Sequence, residues 1–157
     1  MILFFDTETS GLPQDWSAPA GDVANWPRLV QIAWLCCDDS GQTLQSQQDL
    51  SKPQGFKISK SAVDVHGITT ARALRDGVDL APVLAQFSGD LRTAGLVVAH
   101  NLDFDRRIVQ AEFIRAGLPD AFAGKQGRCT MKETAEFCKL PGKRGWKWPS
   151  LTERHCR

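Results

Sequence analysis

The sequence predicts a single α/β domain over residues 1–157, built on a mixed β-sheet flanked by helices. Two observations lead to this fold class. Three strand-like segments come first along the chain and predict an antiparallel meander. A short, fully apolar segment then lies between two helical patterns, which is typical of a buried parallel strand. The sheet should therefore contain both antiparallel and parallel pairs.

Four segments have the pattern of β-strands. Ile2–Phe5 is a short continuous apolar run, and Leu29–Cys37 is a longer one. A turn signal, Asp-Asp-Ser-Gly over residues 38–41, separates the second strand from Thr43–Leu50, which alternates weakly and fits an edge strand. Leu96–Ala99 is apolar throughout, which predicts a position inside the sheet.

The helical segments are recognised by apolar spacing and capping residues. Apolar residues recur at helical spacing between Leu80 and Leu91, behind Asp79 as an N-cap. A second helix should run from near Asp103 to Gly117, its expected stop. The remaining expectations are a short turn over Ser61–Val65 that ends at His66-Gly67, and a helix over Met131–Lys139 with a capping box of Thr130 and Glu133.

Two carboxylates, Asp6 and Glu8, lie one residue apart at the end of the first strand. Because side chains alternate along a strand, the two should point the same way, side by side. Like charges at the edge of a core are unfavourable unless a cation neutralises them, and Mg²⁺ prefers carboxylate oxygens while keeping positions open for substrate phosphates. The pattern therefore indicates a metal-dependent phosphodiester enzyme. By itself it fits an exposed polar strand end about equally well.

A second acidic segment follows the fourth strand. Asp105 should project from the first turn of the next helix toward the ends of neighbouring strands, the edge where ligands collect in open α/β sheets. If the first and fourth strands are adjacent, Asp105 converges on Asp6 and Glu8. Asp103 is better explained as charge compensation at the helix N-terminus.

Bulk properties favour a cytoplasmic protein without a membrane partner. Hydrophobic residues make up 42% of the chain, and no apolar run has the length that crosses a bilayer. The N-terminus leads directly into strand residues and does not resemble a signal peptide. The five cysteines form no CxxC pair, so neither a zinc site nor a disulfide framework is expected.

The net charge of +1 is unevenly distributed. Residues 124–157 hold nine Lys or Arg against three Glu, whereas residues 1–123 hold ten against fifteen acidic residues. The basic part is densest over Lys143–Trp148 (Lys-Arg-Gly-Trp-Lys-Trp), where two indoles interleave with the cations. Such a segment can contact phosphates and stack on bases. A solvated loop whose tryptophans fold back on the core explains the pattern equally well.

The carboxylates lie in two motifs, FDTETSGL (Phe5–Leu12) and VVAHNLDFDRRIV (Val97–Val109). Together these motifs resemble those of the DEDD exonucleases, which include the proofreading subunit of bacterial replicative DNA polymerase, ribonuclease T and oligoribonuclease. VDVHGIT (Val63–Thr69) and KWPSLTE (Lys147–Glu153) are similar to segments of the proofreading-like (DnaQ-like) branch. The resemblance covers essentially the whole chain.

The resemblance implies a ribonuclease H-like fold and release of nucleotides from the 3′ ends of single-stranded DNA or RNA by two cations, Mg²⁺ or Mn²⁺. Asp6 would bridge both cations, Glu8 would bind the cation that activates water, and Asp105 would hold the second cation beside the leaving oxygen. Two cations about 4 Å apart stabilise the attacking and departing oxygens together. The resemblance leaves a polymerase or a second copy of the chain open as a partner.

The same resemblance assigns residues to the substrate. They are Thr9, Gly11 and Leu12 beside the terminal nucleotide, with Leu12 wedged against the terminal base, and His66, Asn101 and Phe104 around it. Structural alternatives stay open for four of them: Leu12 and Phe104 as ordinary core residues, His66 as a turn cap, and Asn101 as a partner of loop backbone.

The third motif of the family, which supplies a fourth carboxylate and a general base, is missing from these 157 residues. One branch uses a histidine five residues before an aspartate and the other a tyrosine, but the chain has no tyrosine. His155 is the only late histidine, and Asp120, the only aspartate after Asp105, lies too early. Ser150 and Glu153 form a capping-box pattern, which predicts a helix that begins after Ser150, close to the last residue. We therefore expect a domain truncated or frameshifted relative to the family.

Loss of the base costs roughly 10²–10⁴ in rate, so we expect an impaired 3′–5′ exonuclease. The alternative from a different class is a non-catalytic nucleic-acid-binding or accessory module that keeps the fold. Retention of Asp6, Glu8 and Asp105 favours the enzyme, whereas the missing base favours the accessory module. A small-molecule phosphohydrolase is less well supported.

Overall fold

The computed structural model describes residues 1–143, 145–151 and 153, which form a five-stranded sheet with helices packed against it. The strands are β1 Ile2–Thr9, β2 Leu29–Cys37, β3 Thr43–Leu50, β4 Leu96–Ala99 and β5 Gln126–Cys129, with a separate hairpin of β6 Pro141–Gly142 and β7 Gly145–Trp146. The helices are α1 Lys60–His66, α2 Thr70–Asp76, α3 Leu80–Thr93, α4 Leu102–Arg115, α5 Thr130–Glu133 and α6 Ala135–Cys138.

The main sheet has the strand order β3-β2-β1-β4-β5. The pairs β1–β2 and β2–β3 are antiparallel, whereas β1–β4 and β4–β5 are parallel. The mixed sheet is therefore confirmed, and β2, β3 and β4 have the predicted bounds. Because β1 and β4 are parallel neighbours, their carboxyl ends meet at one edge of the sheet, as the convergence of the acidic segments requires.

Strand β1 is longer than predicted, since it continues to Thr9 rather than ending at Phe5. Asp6 pairs with Ala33 and Glu8 with Gln31 of β2, so ladder hydrogen bonds extend the strand through the polar residues. The burial of β1 alternates, with Thr7 in the core while Asp6 and Glu8 lie on the opposite face. The two carboxylates thus share one face, as the strand periodicity predicts.

The main core lies between one face of the sheet and helices α3 and α4. Phe87 of α3 is fully buried at its centre. Its ring centroid lies 5.5 Å from that of Phe5 in β1, 5.4 Å from that of Trp34 in β2 and 6.5 Å from that of Phe113 in α4. This aromatic packing fixes the two helices against the sheet and so sets the position of the first turn of α4.

Several helix predictions need correction. The predicted turn over Ser61–Val65 is the helix α1, whose N-cap Ser59 accepts a hydrogen bond from the Ala62 amide at 3.2 Å. Asp79 does precede α3, but its side chain makes no capping hydrogen bond. The helix expected from Asp103 to Gly117 is α4, which is shifted by one residue at its start and ends at Arg115.

The predicted helix over Met131–Lys139 is interrupted at Thr134 and forms the two short helices α5 and α6. The predicted capping box is absent because Cys129 is the N-cap, and the Thr130 hydroxyl lies 3.0 Å from His100 Nδ1 instead. Helix α2 and strand β5 were not predicted from the sequence. β5 has the polar sequence Gln-Gly-Arg-Cys and is a strand only because it pairs with β4.

A buried charge ties the sheet to α4. The Glu112 carboxylate is fully buried and accepts hydrogen bonds from Arg28 Nε at 2.8 Å, Arg115 Nη1 at 2.8 Å and the Leu29 amide at 3.0 Å. Arg115 also donates to the carbonyls of Val23 and Trp26 at 2.6 and 2.7 Å. These bonds hold the loop before β2 against α4.

None of the helices formed by the described residues combines the length and apolar character needed to cross a bilayer. Cys36, Cys37 and Cys129 are free thiols. Cys138 takes part in a disulfide bond, which the cysteine pattern did not predict.

The first prediction concerns the Glu112 network. We expect Glu112→Gln to lower the free energy of unfolding by about 2–4 kcal/mol, because two partly buried arginines lose their counterion. Asp64→Asn is the matched control, since its pair with Lys60 is exposed and contributes at most about 0.5 kcal/mol. Urea unfolding followed by tryptophan fluorescence measures both, and equal losses in the two variants would contradict the prediction.

Candidate active site

The three carboxylates singled out in the sequence line one open cavity of about 730 Å³. Asp6 and Glu8 enter it from β1, and Asp105 enters it from the first turn of α4. The parallel pairing of β1 with β4 brings these two segments together. Asn101 and Phe104 line the same cavity.

Asp105 is held in place by Thr7, the residue between the other two carboxylates. The Thr7 hydroxyl donates to Asp105 Oδ1 at 2.6 Å, and the Thr7 amide donates to the same oxygen at 3.0 Å. Both residues are almost completely buried. The strand that carries Asp6 and Glu8 therefore also fixes the carboxylate of the helix.

Burial makes ionisation of these groups costly. It raises the pKa of Asp105 to about 7, although the hydrogen bond from Thr7 opposes the shift, and the charge of Asp6 adds to it. Burial also raises the pKa of Asp6, while the nearby His100 acts in the opposite direction. The pKa of Glu8 is raised by burial and then by the charge of Asp6. The cavity is thus a site of uncompensated negative charge.

The donor chemistry fits a hydrated divalent cation better than a closed metal cage. Carboxylate oxygens are the ligands that Mg²⁺ takes, and this ion keeps several waters while using one or two carboxylates. Among the described residues, no group of three or more His, Cys, Asp or Glu side chains is arranged to hold a metal ion. Asp105 is turned toward Thr7, which leaves Asp6 and Glu8 facing the open side.

A second, more enclosed cavity of about 290 Å³ adjoins the first, because both are lined by Thr7, Glu8 and Phe104. The other residues of this second cavity are Thr9, Gly11, Leu12, Ser61, Ala62, Val65 and His66. The side chain of Leu12 is 71% exposed, so Leu12 is not an ordinary core residue. Phe104 is partly buried and packs against the core, its ring 5.5 Å from Trp16.

Thr9 and His66 line the second cavity and also hold its backbone in place through hydrogen bonds. The Thr9 hydroxyl donates to the Gly11 carbonyl at 2.7 Å and so folds the turn after β1. His66 Nδ1 accepts from the Ile68 amide at 3.0 Å, so His66 Nε2 carries the hydrogen and donates to the Thr9 carbonyl at 3.1 Å. His66 therefore acts as a turn cap and at the same time lines the cavity.

Asn101 has a left-handed backbone, with φ 72° and ψ 47°, at the N-cap of α4. Asparagine tolerates this region better than most residues, and such backbones concentrate at functional sites. Its side chain makes no capping hydrogen bond. The bend turns the chain from β4 into α4 and brings Asn101 to the wall of the first cavity.

Several residues of the first cavity were not among the predicted site residues. They are His100, Met131, Lys147–Leu151 and Glu153. Two sequence signals pointed to this wall: the basic, tryptophan-containing composition of Lys143–Trp148, and the segment KWPSLTE (Lys147–Glu153), which resembles the proofreading-like branch. Glu153 had been considered only as a capping residue: its carboxylate accepts from the Ser150 amide at 3.0 Å, but no helix begins at Ser150 among the described residues. His155 lies outside the described residues.

The mixed sheet, with its antiparallel and parallel strand pairs, has the ribonuclease H-like fold. The exonuclease family model RNase_T matches residues 3–134, and the chain therefore belongs to this exonuclease family. Comparison with curated protein sequences gives no match.

Solved structures of exonuclease I have the same fold. Escherichia coli exonuclease I in complex with a dA16 oligonucleotide matches with a TM-score of 0.70 and 22% identity, over 86% of this chain and 29% of that one. The zinc-bound form of the E. coli complex with single-stranded DNA matches with a TM-score of 0.71 and 20% identity, over 90% and 32%. A complex of exonuclease I with SSB-Ct matches with a TM-score of 0.70 and 22% identity, over 96% of this chain and 32% of that one. The chain spans about a third of the length of these proteins.

The second prediction concerns the pH dependence of stability. Because the pKa of Asp105 is raised to about 7 from 3.8, its unfavourable contribution is absent below about pH 4 and grows as the pH rises to about 7. In metal-free buffer, Asp105→Asn should therefore increase the free energy of unfolding at pH 8 by about 2–4 kcal/mol, and by much less at pH 4.5.

Asp103→Asn is the control, since Asp103 lies on the same helical turn with an exposed carboxylate paired to Lys132. Urea unfolding at pH 4.5, 6 and 8 measures all three proteins. A gain for Asp105→Asn that is equal at every pH would contradict the prediction.

Proposed function

We propose that this chain is a metal-dependent 3′–5′ exonuclease domain that acts on single-stranded nucleic acid with slow turnover. One observation carries the proposal: carboxylates from two distant segments line one cavity that opens beside a second, more enclosed cavity of about 290 Å³. Family membership and the oligonucleotides bound by the solved exonuclease I structures support the same substrate class.

We assign the binding of Mg²⁺ or Mn²⁺ to Asp6, Glu8 and Asp105, which line the same cavity although they are not arranged as a closed three-ligand site. When bound, divalent cations would neutralise the substrate phosphate and lower the pKa of a water. Asp6 and Glu8 face the open side of the cavity, where a phosphate can approach, while Thr7 keeps Asp105 directed at the same edge. We assign the terminal nucleotide to the second cavity, with Leu12 against its base.

The slow turnover is inferred from the histidines. Of the two histidines in the described part of the chain, His66 uses both ring nitrogens in backbone hydrogen bonds. His100 uses Nε2 toward the Pro149 carbonyl at 2.9 Å and Nδ1 toward the Thr130 hydroxyl. Neither offers a free ring nitrogen to take a proton from water, which removes a contribution of roughly 10²–10⁴ in rate.

The lack of a free ring nitrogen on His66 and His100 favours one competing function, a non-catalytic binding or accessory module with the exonuclease fold. Such a module needs the surface of the fold but no water-activating group. The three carboxylates argue against it, because a site that only binds polyanions gains nothing from uncompensated negative charge.

The third prediction tests hydrolysis. With Mn²⁺, the chain should slowly release mononucleotides from the 3′ end of a single-stranded oligonucleotide, whereas Asp6→Asn should show no release above background. Glu136→Gln, an exposed carboxylate of α6, is the control and should keep full activity. Products from 5′- and 3′-labelled strands are separated on sequencing gels. Oligonucleotide binding without hydrolysis would favour the accessory module.

The fourth prediction tests the terminal-nucleotide cavity. Leu12→Ala should weaken binding of a nucleoside 5′-monophosphate in the presence of Mn²⁺ about 5- to 20-fold, because the base loses an apolar contact. Stability should change by less than about 0.5 kcal/mol, since Leu12 is exposed. Leu44→Ala, an exposed leucine of the edge strand β3, is the matched control. Calorimetric titration measures both variants, and equal affinities would remove Leu12 from the site.

A further inference from the structure

The cavity of the carboxylates has a second wall made by a different part of the chain. Lys147, Trp148, Pro149, Ser150, Leu151 and Glu153, here called the basic wall, line the cavity together with Asp6, Glu8 and Asp105. Trp148 is 59% exposed, and the Lys147 side chain is about half exposed. The wall therefore presents a cation and an indole face to anything that enters the cavity.

The basic wall is anchored at two points. At one end, the Lys147 amide donates to the Leu140 carbonyl at 2.9 Å and extends the hairpin of β6 and β7. At the other, His100 Nε2 donates to the carbonyl of the buried Pro149 at 2.9 Å. His100 itself lies at the end of β4, beside the acidic edge. The wall is thus attached to the element that positions the carboxylates.

The charges of the basic wall are paired internally. Lys147 Nζ donates to Glu153 Oε1, and the other carboxylate oxygen of Glu153 accepts from the Ser150 amide at 3.0 Å and from the Ser150 hydroxyl at 3.2 Å. Glu153 is therefore a compensated carboxylate, unlike the three carboxylates on the opposite side. Lys147 is the only Lys or Arg among the cavity-lining residues in the described part of the chain.

We propose that Lys147 contacts the phosphate backbone of the single-stranded substrate and that Trp148 contacts one of its bases. Without substrate, the Glu153 carboxylate pairs with the Lys147 ammonium, and a substrate phosphate displaces it. This inference rests on the proposed function and names the contacts of that same site. A lysine binds phosphate as a point charge, and a carboxylate is the natural internal substitute for that anion. An exposed indole beside the cation stacks on a base without sequence preference.

The geometry favours this role for Glu153 over a role as a cation ligand. Both of its oxygens are already used by donors, and the hydrogen bond from Lys147 lowers its pKa. A cation would have to compete with three hydrogen-bond donors for the oxygens of Glu153. When a phosphate takes the place of Glu153 on Lys147, only the bond from Lys147 breaks, and the two bonds from Ser150 remain.

The experiment measures oligonucleotide binding without metal, so that neither hydrolysis nor cation binding contributes. Fluorescence anisotropy of a labelled single-stranded oligothymidylate is recorded in EDTA at several salt concentrations. Lys147→Gln should weaken binding about 5- to 10-fold and reduce the slope of log affinity against log salt by about one, while Lys147→Arg should keep both. Lys57→Gln, an exposed lysine outside the cavity, is the control.

Glu153→Gln should tighten oligonucleotide binding about 3- to 10-fold, because the Lys147 ammonium no longer has to break an ion pair before it binds a phosphate. The same substitution should have no effect in the Lys147→Gln background, which separates competition for Lys147 from general charge repulsion. Glu136→Gln provides the charge-matched control. Trp148→Ala should weaken binding at least about fivefold, whereas Trp146→Ala should not, since Trp146 is equally exposed but lies outside the cavity.

The inference is overturned if Glu153→Gln leaves binding unchanged or weakens it, or if its effect persists without Lys147. It is also overturned if Glu153→Gln lowers the affinity for Mn²⁺ alone, since Glu153 would then belong to the cation site. If the substitutions at Lys147, Trp148 and Glu153 change oligonucleotide binding as expected but no hydrolysis is detected, the proposed catalytic activity is refuted and the binding role of the basic wall is retained.

Discussion

The pair of hydrogen bonds from Thr7 to Asp105 is the constraint on which the site depends. Asp6 and Glu8 are neighbours on a strand and share a face for local reasons, but Asp105 arrives from a helix 98 residues away from Thr7. A buried carboxylate would otherwise turn toward water. Two short bonds from one residue of β1 keep it at the edge of the sheet, beside charges that repel it.

This arrangement costs stability, and the remainder of the fold compensates for the cost. The pKa values of all three carboxylates are raised, so their ionised forms are less stable here than in water. The aromatic core around Phe87 and the buried network around Glu112 hold α4 against the sheet from the other side. Strain of this kind is typical of functional sites, where unfavourable charge is kept for a ligand that neutralises it.

The cavity combines an acidic side with the basic wall, and the two suit different parts of one substrate. Carboxylates hold cations, whereas a lysine and a tryptophan hold a phosphate and a base. His100 connects the two sides through the Pro149 carbonyl and the Thr130 hydroxyl. The engagement of both its ring nitrogens makes His100 a positioning residue for the wall.

The sequence by itself determined the antiparallel meander of β1–β3, the bounds of β2–β4, and the shared face of Asp6 and Glu8, because these follow from turn signals and from periodicity over a few residues. It could not give β5, whose polar residues form a strand only beside β4, nor the break at Thr134. Tertiary structure alone decided that Thr7 holds Asp105, that His66 and His100 are fully hydrogen-bonded, and that Glu153 faces the same cavity. Contacts between distant segments depend on strand pairing and helix packing, and local residue patterns do not encode them.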